Sequence, residues 1–342
     1  MSKQKVTIHD IARMANVSPS AVSLVLNHKP GVSEDTRNLV QQIIRETGYT
    51  PNLNSQKLIL RKSFNIFIVV ESCFAAFDNM FYNSAIMGVL ESCRAFNYNV
   101  VLSDIPVEYA SSSLKRAVDQ KNIDGAIFLQ DIRPDTAKAL QEASLPFVVL
   151  DAHTLADDVP CVYCDYALAA EQCVSFLIHA GHCNIGFLGM GEIPAFHMAC
   201  MQGYLTALGK AGLHCNPNWV IPTIPEKADV DTAVERLHAC PERPDALFCN
   251  MDLIAIYAMQ SLMQHGFTLP EDMSVCSIDN IVSAQYCYPA LTTVDIDKKE
   301  MGKAAVNLLM ALLERKPDEE IPVHICTSIG KTIVRDSVYI GQ

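Results

Sequence analysis

The sequence of 342 residues lacks the short motifs by which many enzymes are recognised. It contains no glycine-rich phosphate loop, no G-x-S-x-G nucleophile elbow and no H-E-x-x-H zinc-binding pair. These absences argue against an enzyme that binds nucleotides, forms an acyl intermediate or uses a catalytic zinc. We therefore expect neither an enzymatic activity nor a cofactor.

Long hydrophobic runs are also missing, although 50% of the residues are hydrophobic. No apolar run approaches the about 20 residues that a membrane-spanning helix needs. The first residues, Met1 to Lys5, are polar or basic beyond the initial Met and lead into a predicted helix, without an apolar signal segment. The sequence therefore predicts a cytoplasmic protein that does not contact a membrane.

Cysteine is abundant, with 13 residues, but the paired spacing of a zinc site is absent. All the cysteines lie between Cys73 and Cys326 at irregular intervals, mostly within apolar runs. Cys161 and Cys164 form a C-x-x-C, and the β-branched and aromatic residues between them indicate a strand. We expect most cysteines to be buried, reduced thiols, and we expect no bound metal.

The two ends of the chain differ in charge. Residues 1–62 contain nine Lys or Arg and four Asp or Glu, a balance of +5, whereas the whole chain has a net charge of -12. Residues 63–342 therefore carry -17. A basic head on an acidic body suits a protein that presents one end to DNA phosphates, since the same duplex repels the body. Charge alone would also fit a basic surface that only faces solvent. The helices predicted in this segment distinguish the two interpretations.

Three short helices with capping residues are predicted within the basic segment. Thr7 can cap the first, Ser18 the second with Pro19 at its first position, and Ser33 a third that ends at Gly48. This order is typical of a helix-turn-helix, whose second helix is free to enter the major groove of DNA. Apolar residues at helical spacing would form a small core: Ile8, Ile11, Ala12, Ala15, Val17, Val22, Val25, Leu26, Leu39, Val40, Ile43 and Ile44.

From Asn65 onward, buried apolar runs alternate with helical segments, as in parallel sheets covered by helices. One series of strands is expected at 66–70, 100–102, 126–129, 147–150 and 161–163, and a second at 185–188, 220–221, 246–249 and 274–278. Helices are expected near 82–96, 111–121, 135–143, 166–180, 197–211, 229–238, 253–265 and 298–313. Two such series predict two doubly wound α/β lobes.

The headpiece resembles that of the lactose repressor family of transcriptional regulators. The similar stretches are Thr7-Ile8-His9-Asp10-Ile11-Ala12, Asn16-Val17-Ser18-Pro19-Ser20-Ala21-Val22-Ser23 and Gly48-Tyr49-Thr50-Pro51-Asn52. The resemblance continues to the C-terminus and implies an α/β fold in which an all-α headpiece precedes a type I periplasmic-binding-protein-like sensor. It implies a DNA-binding domain at 1–49, a hinge helix or linker at 50–62 and an effector-binding and dimerisation core at 63–342.

In the family, the C-terminal tail crosses back to the first lobe and then returns to the second. The resemblance thus implies a first lobe of about 63–163 and 294–329, and a second of about 164–293 and 330–342. Nothing after Ser337 resembles a leucine heptad, so the expected assembly is a homodimer. Such a dimer would bind a near-palindromic operator in double-stranded DNA.

Base readout is expected near the start of the second helix, where side chains reach base edges. Ser20 is the preferred base-contacting residue. The family usually has Thr at Ala21 and often Arg at Leu24, and without that Arg a bidentate contact with guanine is missing. The candidate DNA-binding residues of the headpiece are Thr7, Ser18, Pro19, Ser20, Ala21, Ser23 and Asn27.

The segment 50–62 corresponds to the linker that folds into a hinge helix on DNA in the family. Asn52, Ser55 and Leu58 are the candidate DNA-binding residues there. Leu58 occupies the position of a family Leu that enters the minor groove and kinks the duplex. Its alternative role is packing against the partner's hinge or against the core.

A small-molecule effector is expected between the lobes, at the carboxyl ends of the strands. Three residues depart from the family pattern: Cys200 and Ala152 replace frequent arginines, and Met251 replaces an asparagine. Each candidate Asp could instead cap a helix. The candidate effector-binding residues are Phe77, Asp78, Asn79, Phe81, Asp151, His153, Asp165, His197, Cys200, Met251, Asp252 and Asp279.

The resemblance implies a repressor whose operator affinity changes with a sugar or sugar-derived molecule bound between the lobes. The departures leave the effector open, including a smaller or less polar molecule or none. A redox-sensing regulator that uses Cys161, Cys164 or Cys200 is one alternative, and an effector-independent DNA-binding protein is another. A plain solute-binding protein is disfavoured because the headpiece is present.

Overall fold

The computed structural model describes residues 6–26, 30–49, 62–70, 79–104, 110–120, 122–191, 193–316 and 319–340. The chain divides into two compact units, Met1–Phe64 and Asn65–Gln342. Each unit has its own hydrophobic core.

The first unit contains the three predicted helices, α1 (Ile8–Met14), α2 (Pro19–Leu26) and α3 (Glu34–Thr47). Thr7 and Asp10 form a reciprocal capping box at the start of α1. The Ser18 hydroxyl accepts the N–H of Ala21 at 3.1 Å, and the Ser33 hydroxyl accepts the N–H of Thr36 at 3.3 Å. Gly48 ends α3 in the left-handed conformation that glycine adopts without strain. The predicted caps are therefore confirmed.

The headpiece core contains most of the residues that helical spacing predicts. Its buried members are Ile11, Ala12, Ala15, Val22, Val25, Val40 and Ile43, and Ile8, Val17, Leu26 and Ile44 pack against them. The prediction for Leu39 is wrong, because its side chain is 44% exposed. Leu39 precedes Val40 by one position, about 100° around α3, and so points away from the core that Val40 faces.

The first lobe contains the strands β1 (Asn65–Val70), β2 (Asn99–Asp104), β3 (Gly125–Leu129), β4 (Phe147–Leu150), β5 (Cys161–Cys164) and β11 (His324–Thr327). They form a parallel sheet in the order β11-β5-β4-β3-β1-β2. The crossover helices are α4 (Met80–Ala95), α5 (Ala110–Asp119) and α6 (Pro134–Glu142). β3 and β4 are buried throughout, as expected for central strands covered on both faces.

The second lobe repeats this plan with the strands β6 (Ile185–Met190), β7 (Val220–Thr223), β8 (Ala246–Cys249), β9 (Ser274–Asp279), β10 (Thr292–Ile296) and β12 (Ile329–Ile333). Their order is β12-β10-β9-β8-β6-β7, with β12 antiparallel to β10. Its helices are α7 (Tyr166–His179), α8 (Pro194–Lys210), α9 (Lys227–His238) and α10 (Asp252–Gln264). The expected fold class, two doubly wound α/β lobes after a helical headpiece, is confirmed.

The tail joins the two lobes. Helix α11 (Lys298–Glu314) packs on α4 and on strands of the first sheet. The expected boundary at about 294 needs correction, because Val294 pairs with Ile278 inside the second sheet and the chain leaves that sheet after Ile296. β11 and β12 were not predicted as strands, since both carry half-exposed residues instead of a buried apolar run.

Candidate functional site

The start of α2 contains both exposed and buried side chains. Pro19 and Ser20 are exposed in its first turn, whereas Val22 and Val25 are buried in the headpiece core. Ala21 and Ser23 are half-buried, and Thr7 and Ser18 are exposed at the caps. Ser20 therefore has the freedom that a base-contacting residue needs, while the buried side chains fix the helix beneath it.

Leu24 lies on the same helix but turns toward the following loop. A Cβ built on Gly31 would lie 3.2 Å from Leu24 Cδ1, so the Leu side chain packs beside this glycine. Six of the predicted site residues lie outside the described residues: Asn27, Asn52, Ser55, Leu58, Phe77 and Asp78.

Asp151 is the polar centre of the contact between the two lobes. It follows β4, is 2% exposed and has a positive φ of 65°. The hydroxyl of Tyr82 on α4 donates to its Oδ2 at 2.6 Å, and the hydroxyl of Tyr166 on α7 donates to its Oδ1 at 2.6 Å. Burial, and next the charge of Asp151, raise the pKa of both tyrosines well above the ordinary value, which keeps them as donors. Because α7 belongs to the second lobe, the bond from Tyr166 crosses between lobes.

His153 extends this contact into an aromatic cluster. Its Nε2 lies 3.6 Å from Oδ2 of Asp151, and its side chain is 4% exposed. Its ring lies 5.7 Å from that of Tyr166 and 5.2 Å from that of Phe196 on α8, measured between centroids. Asp131 fixes the loop, since its Oδ1 accepts the N–H of His153 at 2.9 Å. No described group forms a hydrogen bond with Nδ1 of His153.

Asp252 is buried at the start of α10 and joins three elements of the second lobe. Its Oδ1 accepts the hydroxyls of Ser277 at 2.5 Å and Thr293 at 2.6 Å, and its Oδ2 accepts the N–H of Ile281 at 2.7 Å. Burial raises the pKa of Asp252 to about 6, although these hydrogen bonds act in the opposite direction. These contacts give Asp252 a role within its lobe.

Asp279 ends β9 with a φ of 126° and is 5% exposed. Burial raises the pKa of its carboxyl well above the ordinary value, and the neighbouring charge of Asp252 adds to this rise. Lys298 is buried beside it, but its ammonium donates to the backbone carbonyls of Asp279 and Ile296. That ammonium also lies 5.7 Å from the centroid of the Phe81 ring.

Two predicted residues cap helices. The Asn79 side chain accepts the N–H of Phe81 at 2.9 Å at the start of α4, and Phe81 itself is buried. Asp165 is exposed and accepts the N–H of Leu168 at 2.9 Å at the start of α7. These caps orient the first turns that carry Tyr82 and Tyr166.

The remaining predicted residues line the second lobe. Cys200 is fully buried on α8, and burial raises the pKa of its thiol well above the ordinary value. His197 stacks on Phe187 with centroids 5.4 Å apart, and burial lowers the pKa of its imidazole. Met251 precedes α10 in an extended conformation without a side-chain cap.

Sequence reasoning did not single out Tyr82, Tyr166, Phe196 or Lys298 as site residues. The two tyrosines stand at the starts of predicted helices that follow first-lobe strands, and this position could have identified them. Phe196 and Lys298 gave no such signal, because a Phe in an apolar helix is ordinarily a packing residue and a Lys is ordinarily exposed to solvent.

Comparisons with known proteins agree with this architecture. Residues 7–52 match the model for bacterial regulatory proteins of the lacI family, and residues 174–338 match a periplasmic binding protein-like domain. The repressor CytR of Escherichia coli K12 is 30% identical over 311 residues, which cover 89% of each chain. The chain belongs to the lacI family of bacterial regulatory proteins. It is thus a DNA-binding transcriptional regulator with a ligand-binding type of sensor, as expected, and its relatives are repressors and not enzymes.

Two further comparisons extend over nearly the whole chain. The ribose operon repressor of Haemophilus influenzae is 29% identical over 335 residues, covering 97% of this chain and 98% of the relative. A complex of the regulator CelR with cellobiose has a TM-score of 0.72 at 25% identity, covering 97% of this chain and 100% of the other. In the described part of this lacI-family chain, no helix combines the length and hydropathy needed to cross a membrane.

Proposed function

We propose that this regulator binds a near-palindromic operator as a homodimer and represses transcription, and that a small molecule bound between its lobes changes operator affinity. The observation that carries this proposal is the buried bond from Tyr166 to Asp151, since it joins the lobes at the strand ends where such sensors bind ligands. A molecule that competes for Asp151 would change lobe closure. We place this activity in the cytoplasm, where the DNA is.

The DNA-contacting residues belong to this proposal. Ser20 is exposed at the start of α2 and would contact a base edge. The basic residues of 1–62 would contact phosphates, and Leu58 would enter the minor groove. The ribose operon repressor and CytR are named as repressors, which supports repression here.

Exposed apolar side chains on the second lobe support a homodimer. Val282, Tyr286 and Tyr288 are 60%, 78% and 85% exposed, and Met80 of the first lobe is 43% exposed. The Ser283 hydroxyl lies 3.0 Å from Met80 Sδ, so the two lobes meet beside this surface. Large apolar groups clustered at a surface are typical of a protein interface. Sedimentation should show a dimer at micromolar concentration, and a stable tetramer would contradict this part.

The redox alternative has little support from the thiols. Cys161, Cys164 and Cys200 are all buried, and burial raises the pKa of Cys161 to about 11 and those of the other two well above the ordinary value. The thiolate is the form that reacts with peroxide, so these residues are poorly placed as sensors. Mass spectrometry after mild peroxide treatment should find all three reduced.

Selection of genomic DNA fragments by the purified full-length chain tests the main proposal. One class of fragments should be enriched, and its affinity should fall steeply with salt because each neutralised phosphate releases counterions. No preference for any fragment would contradict the proposal. Operator affinity that no sugar, sugar acid or nucleoside changes would favour the effector-independent alternative.

A further inference from the structure

Three acidic side chains among the described residues are buried at or beside the contact between the lobes. The carboxyl groups of Asp151, Asp252 and Asp279 are 2%, 0% and 5% exposed as residues, and their charges influence one another. Lys298, which is 7% exposed, is a buried cation that acts on Asp252 and Asp279. Ionising a buried carboxyl is costly without a partner, so a cation from outside the chain would stabilise the ionised form of such a group.

The hydrogen bonds of the Lys298 ammonium do not go to the carboxyl groups of Asp252 and Asp279. Its ammonium donates to the carbonyls of Asp279 and Ile296, the latter at 2.8 Å, and reaches the carbonyl of Asn280 at 3.4 Å. Three carbonyls thus take the three protons that a lysine ammonium can donate. Its positive charge lowers the free-energy cost of ionising Asp252 and Asp279, but its hydrogen bonds go to backbone carbonyls.

Asp279 differs from the other two acids in its hydrogen bonds. Asp151 accepts two tyrosine hydroxyls and Asp252 accepts three donors, as described above. Among the described residues, the backbone N–H of Asp252 is the donor that acts on the Asp279 carboxyl. A carboxylate can accept up to about four hydrogen bonds, so Asp279 retains capacity for a ligand.

His153 provides a second, independent indication of a ligand. Its side chain is 4% exposed, and no described group forms a hydrogen bond with Nδ1. Buried polar atoms normally have a partner, and a missing one indicates an absent ligand or water. The His153 ring lies against Tyr166 and Phe196 of the second lobe, which places the unpartnered atom in the seam between lobes.

We propose that the effector of this regulator is a small polar molecule with a positively charged amino group, which binds the carboxylate of Asp279 and places a hydrogen-bonding group at Nδ1 of His153. This inference rests on the proposed function, because it assigns a ligand class to the same cleft. An ammonium group would donate to Asp279 as a charge-assisted pair.

The residues at the two positions where the family often has arginine also support a cationic ligand. Cys200 and Ala152 stand there, and both are fully or almost fully buried and uncharged. The charge of Asp279 acts on the Cys200 thiol, so a cation at position 200 would lie near enough to feel this carboxylate. An anionic ligand such as a sugar phosphate would meet carboxylates without a guanidinium to receive it. A neutral polyol would bring no charge to pair with the Asp279 carboxylate.

Thermal unfolding of the full-length chain with matched pairs of compounds tests the proposal. The pairs are glucosamine with glucose, galactosamine with galactose, and putrescine with 1,4-butanediol, and glucose 6-phosphate represents anions. At least one amine should raise the unfolding temperature at about 10 mM, and its neutral partner should bind at least about tenfold more weakly. A larger shift with a neutral or anionic compound, or no shift with any amine, would overturn the proposal.

Asp279→Asn should weaken binding of the responding amine at least about tenfold, because Asn cannot form the charged pair. Asp231→Asn is the matched control, since Asp231 pairs with Lys227 on the surface of α9 at 2.7 Å. Cys200→Arg supplies an internal cation and should also abolish amine binding. Unchanged affinity in folded Asp279→Asn, or equal losses in Asp231→Asn, would contradict the assignment.

A measurement of operator binding without any ligand distinguishes a failure of this inference from a failure of the proposed function. A chain that selects an operator but binds no amine remains a regulator with a different effector. A chain that binds an amine but selects no DNA would leave the ligand class intact and contradict the proposed repressor.

Discussion

The hydroxyl of Tyr166 donates a hydrogen bond of 2.6 Å to Oδ1 of Asp151 and thereby joins the second lobe to the first. The hydroxyl of Tyr82 donates to the other oxygen at the same distance, but from within the first lobe. The two bonds have the same chemistry and the same acceptor. They differ in whether they cross between lobes, which makes them a matched pair for mutation.

Tyr166→Phe should release the lobes, whereas Tyr82→Phe should not. Each change removes one donor from a buried carboxylate and should cost about 1–3 kcal/mol of unfolding free energy. Only Tyr166→Phe should increase the radius of gyration in X-ray scattering and change ligand-free operator affinity. Identical scattering from the two variants would show that this bond does not hold the lobes together.

The sequence predicts the positions of the acids better than their roles. Asp151, Asp252 and Asp279 were expected at the ends of strands, because the carboxyl ends of parallel strands meet at one edge of a sheet. The role of Asp252 depends on hydroxyls from two strands that are distant in sequence, and no local pattern indicates which donors will reach it. The contribution of Tyr166 depends on how the lobes close, which strand and helix periodicity does not determine.

The helices and strands were predictable for local reasons. Capping residues and apolar spacing locate α1, α3 and α11, and buried apolar runs locate β3 and β9. The start of α8 was expected at about 197 but lies at Pro194, since proline at a first helical position extends the helix beyond its apolar pattern.

Gly203→Ala should destabilise the second lobe, whereas Gly209→Ala on the same helix should not. A Cβ at Gly203 would overlap the carbonyl oxygen of Ala167, so α7 and α8 would have to separate at a cost of about 1–3 kcal/mol. Nothing lies within 4 Å of a Cβ at Gly209, so Gly209→Ala should raise the free energy of unfolding by about 0.4–1 kcal/mol. Urea unfolding followed by the fluorescence of Trp219 measures both, because it is the single Trp and lies in the second lobe.

Leu24→Arg should add a preference for guanine to the operator. The Arg fork can bind the O6 and N7 atoms of guanine, which discriminates between bases by about 1–3 kcal/mol. Selection from a random DNA library should give one more fixed guanine in each half-site. Leu24→Ala serves as the control, since it removes the apolar side chain without adding a base-reading group. An unchanged consensus for Leu24→Arg would show that position 24 faces away from the bases.

Leu58→Ala should reduce the bend of the operator while leaving folding and dimerisation intact, because the proposed wedge forms only on DNA. Fluorescence energy transfer between the ends of an operator fragment measures the bend. Lys57→Ala is the neighbouring control and should lower the salt dependence without changing the bend. An unchanged bend angle in Leu58→Ala would identify Leu58 as a packing residue.

Asp279→Asn should make the second lobe more stable at neutral pH and less sensitive to pH. Burial raises the pKa of Asp279 well above its ordinary value of 3.8, and that of Asp252 to about 6. The unfolded chain therefore releases these protons at lower pH than the folded chain. The stability that they contribute is complete below about pH 4 and is lost as the pH rises through the folded pKa values. Asp279→Asn removes the part of this pH-dependent loss of stability that Asp279 causes.

Urea titrations between about pH 4.5 and 8, followed by Trp219 fluorescence, should show the gain of Asp279→Asn growing as the pH rises. Asp231→Asn is the control of opposite sign, because the hydrogen bond from Lys227 lowers the pKa of Asp231 and removal of its charge should not stabilise the fold. This contrast separates a buried, uncompensated carboxyl from a paired surface one. A gain for Asp279→Asn that is equal at every pH would mean that the folded and unfolded chains bind the same number of protons at this side chain, so that its pKa is not raised, or that packing causes the change. A loss of stability at pH 7.5 would show that the Asp279 carboxylate is already compensated, and it would remove the electrostatic reason for an amine ligand.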